Sequence, residues 1–210
     1  MKLYSHFGSS AAYRARIALH LKGVRFATAP IDLRRAEQRQ PEYRAVNPQG
    51  RVPALVLDDG TVLTQSLAIV DYLETSRPEP PIYPREPVAR AKALAVALVI
   101  AADIHPLLNS GSVQDYVRAQ FHQDQAAWAA WYSHWLVTGF AAVEELIDGS
   151  SYAFGDTPSV ADICLVPQVF NARRFKVDIS AFPKILAVDA KATAHPAFAA
   201  AHPSVQPDAT

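Results

Sequence analysis

Two adjacent serines, Ser9 and Ser10, stand between a short strand-like run, Lys2 to Ser5, and a segment with helical spacing. The start of a helix presents backbone N–H groups without intrahelical acceptors and a partial positive charge, so it stabilises an anion. A hydroxyl beside it adds one more donor. Together they favour thiolate over thiol and lower the pKa of a bound sulfur nucleophile. Serine is also a preferred N-cap, and that structural role alone accounts for one of the pair. Gln65-Ser66 repeats the arrangement at the head of a later helical segment, with Ser66 expected as the cap. A ligand carboxylate docked there would use the same amides. Val52-Pro53 is a candidate cis peptide. His105-Pro106 and Asn109 interrupt an apolar run, and Arg173-Arg174 lies near the end of a helical segment. An arginine there ordinarily meets solvent or offsets the helix dipole, but facing a cleft its fork suits a carboxylate.

The elements that must position these residues follow from spacing. Lys2 to Ser5 reads as a strand, and Tyr13, Ile17 and Leu21 mark an amphipathic helix from Ser10 to Lys22, ended by Gly23. Arg25 to Ile31 is a second strand candidate. Ala54 to Leu57 and Val62 to Thr64 flank Asp58-Asp59-Gly60, a strong hairpin signal. Leu67, Val70 and Leu73 then mark another helix. The order is a βαβ unit followed by ββα, an α/β layer arrangement. Prolines 78, 80, 81, 84 and 87 crowd the next stretch, which reads as an interdomain linker because proline removes backbone donors and fixes φ.

Beyond the linker the spacing is helical. Val88 to Leu108 is alanine-rich, Ala126 to Ile147 carries Trp128, Trp131, Trp135, Phe140 and Val143, and Asp156 to Phe175 forms a third helix. That third segment opens on Ser159-Val160-Ala161-Asp162, a capping box with aspartate in place of the usual glutamate. The tail from Pro203 to Thr210 is expected to fray. The expected division is 1–76, a linker at 77–87 and an all-helical domain over 88–210.

Composition removes several functions. Lysine plus arginine equals aspartate plus glutamate, 20 against 20, and no basic run exceeds a pair such as Arg34-Arg35, which argues against nucleic-acid binding. Dinucleotide, phosphate-loop, zincin and nucleophile-elbow motifs are absent. Cys164 is the single cysteine, in an apolar run that suits a buried hydrophobe, and the seven histidines never pair at i and i+4. No metal site is expected. The start of the chain lacks the apolar core of a signal peptide, and the longest aliphatic stretch, Ala93 to Ala102, is about half the ~20 residues a span needs. The expectation is a soluble, cytoplasmic protein with no membrane partner.

Ser9-Ser10-Ala11-Ala12-Tyr13-Arg14-Ala15-Arg16-Ile17-Ala18-Leu19 resembles the signature of zeta-class glutathione transferases, the class of maleylacetoacetate and maleylpyruvate isomerases. The likeness continues through Asn47-Pro48, Val52-Pro53, Gln65-Ser66-Leu67-Ala68-Ile69, Ile104-His105-Pro106-Leu107, Ala161-Asp162, Arg174-Phe175 and Gln206-Pro207-Asp208. The resemblance implies a thioredoxin-like N-terminal domain with a mixed four-stranded sheet that holds glutathione, an all-α substrate domain, and a homodimer. It implies a place in aromatic amino acid catabolism. By the same match Ser9 hydrogen-bonds the glutathione sulfur, and Ser10 with the amides at Ala11 supports the anion site. Gln38 reaches over the ligand. Val52, before a cis Pro53, pairs its backbone with the cysteinyl unit, and Gln65 and Ser66 hold the γ-glutamyl carboxylate. His105, Asn109 and Arg174 fall where substrate-side or inter-domain polar residues lie. The implied reaction is cis–trans isomerisation of a maleyl-type diacid: thiolate adds to the double bond, the single bond rotates, and elimination returns glutathione unchanged.

The sequence departs from the pattern at several points. Ala11 replaces the usual cysteine and Tyr13 the usual tryptophan; Gly8 stands where related isomerases carry an arginine, and Ser110 and Gly111 where some maleylpyruvate isomerases do. A charge-assisted pair contributes about 1.5–3 kcal/mol, so two lost contacts would lower affinity for a dicarboxylate by about two or more powers of ten. Arg174 is left as the main candidate clamp. A second reading follows from the same scaffold: a transferase that displaces halide from small α-haloacids and consumes glutathione. A third is a non-catalytic binding module that keeps only the fold.

Overall fold

β1 (Lys2–Ser5) buries Leu3 and Ser5 in alternation. α1 (Ser10–Leu21) follows, and β2 (Ala27–Pro30) returns parallel to β1. A 3-10 turn at Glu37–Arg39 and a short helix, α2 (Pro41–Val46), fill the stretch that hydrophobic periodicity leaves irregular. α2 is only six residues long and buries Tyr43 alone, so it carries no repeating apolar signal. β3 (Ala54–Val56) and β4 (Val62–Thr64) form the hairpin expected around Asp58-Asp59-Gly60. α3 (Ser66–Ser76) completes the βαβ-ββα order. The mixed sheet runs β2-β1-β3-β4.

The strand senses decide where the loops meet. β1 is parallel to β2 and antiparallel to β3, and β3 is antiparallel to β4. The C-terminal ends of β1, β2 and β4 therefore share one edge of the sheet with the N-terminal end of β3. α1 starts after β1 and α3 starts after β4, so both helices present their N-termini at that edge.

The computed structural model describes residues 1–209, which divide into one compact unit of Met1–Ile82 with 194–209 and another of Tyr83–Thr193. The helical stretch drawn from periodicity, 88–210, runs past this boundary. α10 (Pro196–Ala201) packs on α1 inside the first unit. Its successor is fastened, contrary to the frayed tail expected from Pro203 onward. Pro203 is buried, and the Gln206 carboxamide donates to the carbonyls of Ala200 and His202 at 3.1 and 2.9 Å. The start of the proline-rich stretch is held as well: the buried Lys22 ammonium donates to Glu74 and to the Pro80 carbonyl, each at 2.6 Å.

The second unit is helical. α4 (Pro87–Leu98) passes through a widened π-type turn, Val99–Ile104, into the single turn α5 (His105–Leu107). The expected helix of Val88 to Leu108 is thus interrupted. Pro106 lacks the N–H that would bond to the residue four before it and crowds that carbonyl, and a wider turn relieves the conflict. α6 (Asp115–Phe121), α7 (Gln125–Leu146), α8 (Val160–Arg174) and α9 (Pro183–Thr193) follow. By length and hydropathy alone Pro87–Phe121 would suffice to cross a membrane. Here Ala93, Val96, Ala97 and Ile100 are buried, and α4 packs on α8.

α8 starts on the capping box that the sequence indicates. Asp162 is fully buried, and its carboxylate accepts from Ser159 N at 2.7 Å, Ser159 Oγ at 2.9 Å and Ala153 N at 2.8 Å. Orphaning a buried donor costs about 1–3 kcal/mol. With two amides stranded, Asp162→Ala is expected to lose about 2–6 kcal/mol of stability, read as a lower urea midpoint.

Candidate functional site

Ser9 is the N-cap of α1, with extended backbone and its Oγ accepting the Ala12 N–H at 3.2 Å. This use of the lone pair leaves the hydroxyl proton to be donated outward. The first ladder bond of α1 runs from Tyr13 N to Ser9 O, so the Ala11 amide lies outside the ladder. Ser10 is buried and Ala11 half-buried.

Gln65, and not Ser66, occupies the cap position of α3, and its side chain makes no capping bond. Ser66 is the first helical residue. It is buried, and its Oγ accepts from Arg14 Nε at 3.0 Å. The amides ahead of Ile69 N, which bonds Gln65 O, are outside the ladder. Gln65 holds φ at +66°, a region costly for a residue with a side chain, by about 1–3 kcal/mol. Such strain is maintained where the surroundings fix the backbone. Its Nε2 donates to Gln49 Oε1 at 2.8 Å.

Val52 precedes the ladder, which begins at Ala54, and the Val52-Pro53 peptide is cis. The loop before it is fixed by convergence on one carbonyl: Asn47 Nδ2 and Tyr43 Oη donate to Arg51 O at 2.6 and 2.7 Å. Burial pushes the Tyr43 phenol up to about 12, so it stays a donor through the neutral range. Gln38 is half-buried in the 3-10 turn, and its Oε1 is buried without an acceptor bond.

These pieces close on one another. Ala12 of α1 shares an apolar cluster with Val52, Ile31 and Tyr43. Arg14 of α1 grips Ser66 at the start of α3, and Gln65 beside it reaches Gln49 in the loop before Val52. The first turn of α1, the Val52 loop and the start of α3 are thus joined in a ring at the edge where two helix N-termini emerge. Residues 9–11, 52–53 and 65–66 come together, with Gln38 reached from β2 at the same edge. Two positive helix ends and outward amides suit a ligand with more than one anionic group.

The residues expected on the substrate side belong to the second unit. His105 begins α5 and is half-buried. Asn109 accepts from Val113 N through its carbonyl at 2.9 Å and from Ser112 Oγ through its carboxamide at 3.0 Å, so it organises the turn after α5. The two arginines that end α8 separate in role. Arg173 pairs with the buried Asp189 at 2.6 Å, whereas Arg174 is exposed and lies over the Phe175 ring at 5.7 Å.

Several organising residues escape a reading by spacing. Arg14 and Arg16 are buried in a helix expected to be amphipathic, which is in fact covered on almost every side. Two arginines within an apolar run are themselves a signal, because a buried charge requires partners. What spacing cannot supply is the partners: Ser66 for Arg14, and Ser5, His6, Phe7 and Ala201 for Arg16.

Comparisons with known proteins place the chain in a family. Residues 8–76 match the glutathione S-transferase N-terminal domain and residues 125–202 the glutathione S-transferase C-terminal domain. Maleylacetoacetate isomerase of Pseudomonas aeruginosa is 48% identical over 99% of this chain and 98% of its own. A solved maleylpyruvate isomerase, described as a bacterial glutathione S-transferase of the zeta class, superposes with a TM-score of 0.97 at 42% identity, covering 100% of both chains. Maleylacetoacetate isomerase from Methylobacterium extorquens AM1, solved with malonate and glutathione bound, superposes with a TM-score of 0.95 at 37% identity, again over 100% of both. The chain belongs to the zeta class of glutathione transferases.

The loop ahead of Val52 depends on Gly50, whose φ is +63° and whose position leaves a Cβ 2.9 Å from the Gln38 carbonyl oxygen. Gly60, at the hairpin tip, has φ +88° and open space around it. Gly60→Ala is expected to cost about 1–2 kcal/mol from backbone strain alone. Gly50→Ala adds about 1–3 kcal/mol for displacing a backbone carbonyl, so its chemical-denaturation midpoint falls further.

Proposed function

We propose that the protein is a glutathione-dependent isomerase that converts a maleyl-type diacid, maleylacetoacetate or maleylpyruvate, to its fumaryl form. The observation that carries the proposal is the ring at the sheet edge, which offers one hydroxyl-capped helix start at Ser9 and a second, uncapped one at Gln65-Ser66. Their chemistry fits two anionic groups of glutathione, the thiolate of its central cysteinyl unit and its γ-glutamyl carboxylate. Identity of 48% with a maleylacetoacetate isomerase, and the binding of glutathione with malonate, a small dicarboxylate, in the relative from Methylobacterium extorquens, support the same reading.

Bound glutathione supplies a sulfur nucleophile that adds to the carbon–carbon double bond of the diacid and is returned after rotation and elimination. Ser9 donates its hydroxyl proton to the sulfur and lowers its pKa, and the α1 start with Ser10 and Ala11 supplies the supporting field. Val52, before the cis Pro53, aligns the cysteinyl unit through its backbone. Gln65 and Ser66 receive the γ-glutamyl carboxylate, with Arg14 holding the Ser66 oxygen so that its proton faces outward. Gln38, half-buried in the 3-10 turn, reaches over the ligand. On the substrate side, His105, Asn109 and Arg174 are assigned the donors and the cation that a dicarboxylate needs. A homodimer, a cytoplasmic setting, a role in aromatic amino acid breakdown, and the functional division into 1–76, 77–87 and 88–210 belong to the same proposal and rest on the resemblance.

The decisive assay follows maleylacetoacetate and glutathione together. The expected outcome is conversion of many equivalents of diacid per glutathione with no loss of free thiol. One-for-one consumption, with turnover of dichloroacetate, would instead establish conjugation. Ser9→Ala is expected to lower turnover by about a hundredfold. Loss of a donor to the thiolate raises the thiol pKa, so the rising limb of the pH–rate profile moves to higher pH. An unchanged rate and profile would remove Ser9 from the chemistry.

A further inference from the structure

The loop that delivers Ser9 is held from the far end of the chain. Arg16, fully buried, directs its guanidinium at four acceptors: Nε to the Ala201 carbonyl at 3.0 Å, Nη1 to Ser5 Oγ at 2.9 Å and the His6 carbonyl at 3.3 Å, and Nη2 to the Phe7 carbonyl at 3.0 Å. The Phe7 N–H donates to Asp208 Oδ2 at 2.8 Å, across 201 positions of sequence. Gly8 N donates to His6 Nδ1 and Ser9 N to the His6 carbonyl, each at 3.1 Å. Between Ser5 and Ser9 the backbone is therefore pinned by groups outside the loop on two sides, Arg16 beneath it and Asp208 beyond it. Tyr13, one turn into α1, meets His202 edge-on at 6.1 Å, so the terminal segment touches the helix as well as the loop.

We infer that the C-terminal segment is a positioning strap for the Ser9 hydroxyl, with Asp208 as its positioning residue. The inference rests on the reading that Ser9 meets the glutathione sulfur. The remaining glutathione-side groups are anchored separately: Ser66 by Arg14, Gln65 by Gln49, and the approach to Val52 by Asn47 and Tyr43. Freeing the Phe7 amide loosens the serine and leaves the rest of the ligand cradle in place. Gly8 brings no side chain that would hold the loop in its stead. The consequence is a separation of effects, in which sulfur activation falls while peptide binding does not.

The variants Asp208→Ala and Asp208→Asn distinguish position from charge. Asparagine keeps an oxygen for the Phe7 N–H but carries no charge; alanine removes both. Three measurements are made on each full-length variant: the pH titration of glutathione thiolate absorbance on the enzyme, calorimetric affinity for S-methylglutathione, which has no ionisable thiol, and isomerase turnover. Asp208→Ala is expected to move the thiolate titration to higher pH and to lower turnover by about tenfold, because a small misplacement of a positioned group is costly. Asp208→Asn is expected to stay within about threefold of wild type, and S-methylglutathione affinity within about twofold in both.

Wild-type titration and turnover retained in Asp208→Ala would overturn the inference. So would a parallel fall in S-methylglutathione affinity, which marks general loss of structure. If the carboxylate acted through its charge, removing it would favour thiolate, and both variants would titrate at lower pH; that outcome also overturns it. Should wild-type enzyme leave the thiol titration of glutathione unmoved, the reading of Ser9 itself fails, and the strap with it.

Discussion

A fully buried guanidinium sets the terms for the first unit. Transfer of a charge out of water is tolerated only with partners that replace its hydration. Arg16 has them in the Ser5 hydroxyl and in the carbonyls of His6, Phe7 and Ala201. Burial pulls its pKa down to about 10, with Tyr13 and Asp208 acting in the opposite sense, so the side chain is still charged at neutral pH. The requirement is reciprocal. Without Arg16 the Phe7 and Ala201 carbonyls would lose this donor, while the His6 carbonyl keeps the Ser9 N–H, so β1, the loop after it, α1 and α10 form one arrangement. The position of Ser9 is a result of that arrangement.

The sheet then converts local fixation into a site. Because β1, β2 and β4 point one way and β3 the other, four connections open at one edge. Two are helix starts, whose unpaired amides and dipoles attract anions. One brings a backbone segment ahead of the β3 ladder, and one brings Gln38. The same edge also contains two residues at φ above +60°, strained at Gln65 and permitted at Gly50 by its missing side chain. Arg14 adds a cation beneath the start of α3 while its Nε is used on Ser66. Fold and site are therefore coupled through a few buried polar contacts.

Local features were legible in the sequence where the physics is local. A serine cap in the Ser9-Ser10 pair, the hairpin around Asp59-Gly60 and the Ser159–Asp162 box each involve residues within a few positions of one another, and spacing suffices to find them. The cap of α3 was misassigned to Ser66, because the preference for serine at such positions says nothing of a distant Arg14 that claims its hydroxyl. Fraying was expected of a short, proline-flanked tail, and only the fold reveals Asp208 on Phe7 and Pro203 in the interior. The Pro106 conflict appears in the sequence as a residue, but its resolution as a widened turn depends on packing along the helix. The family likeness carried the glutathione-side residues further than spacing could. It did so by pattern, without the contacts that explain why Arg14 and Arg16 stand in that pattern.

For the proposed reaction, selectivity for the acid turns on which cations meet it. In the first unit Gly8 offers none, and Arg16 is committed to the protein's own carbonyls. In the second unit the paired arginines at the end of α8 are not equivalent. Arg173 sits 2.6 Å from Asp189, whose carboxylate offsets its charge, whereas Arg174 stands exposed at the helix C-terminus. The negative end of the helix dipole favours a cation there and stabilises it in place before any ligand arrives. Under the proposed reaction, a diacid met by few arginines must be held more by neutral donors, the role proposed for His105 and Asn109. Neutral hydrogen bonds discriminate by geometry more than by charge. Under that proposal the sulfur chemistry is that of the class, while the choice of acid falls to the polar groups proposed for it.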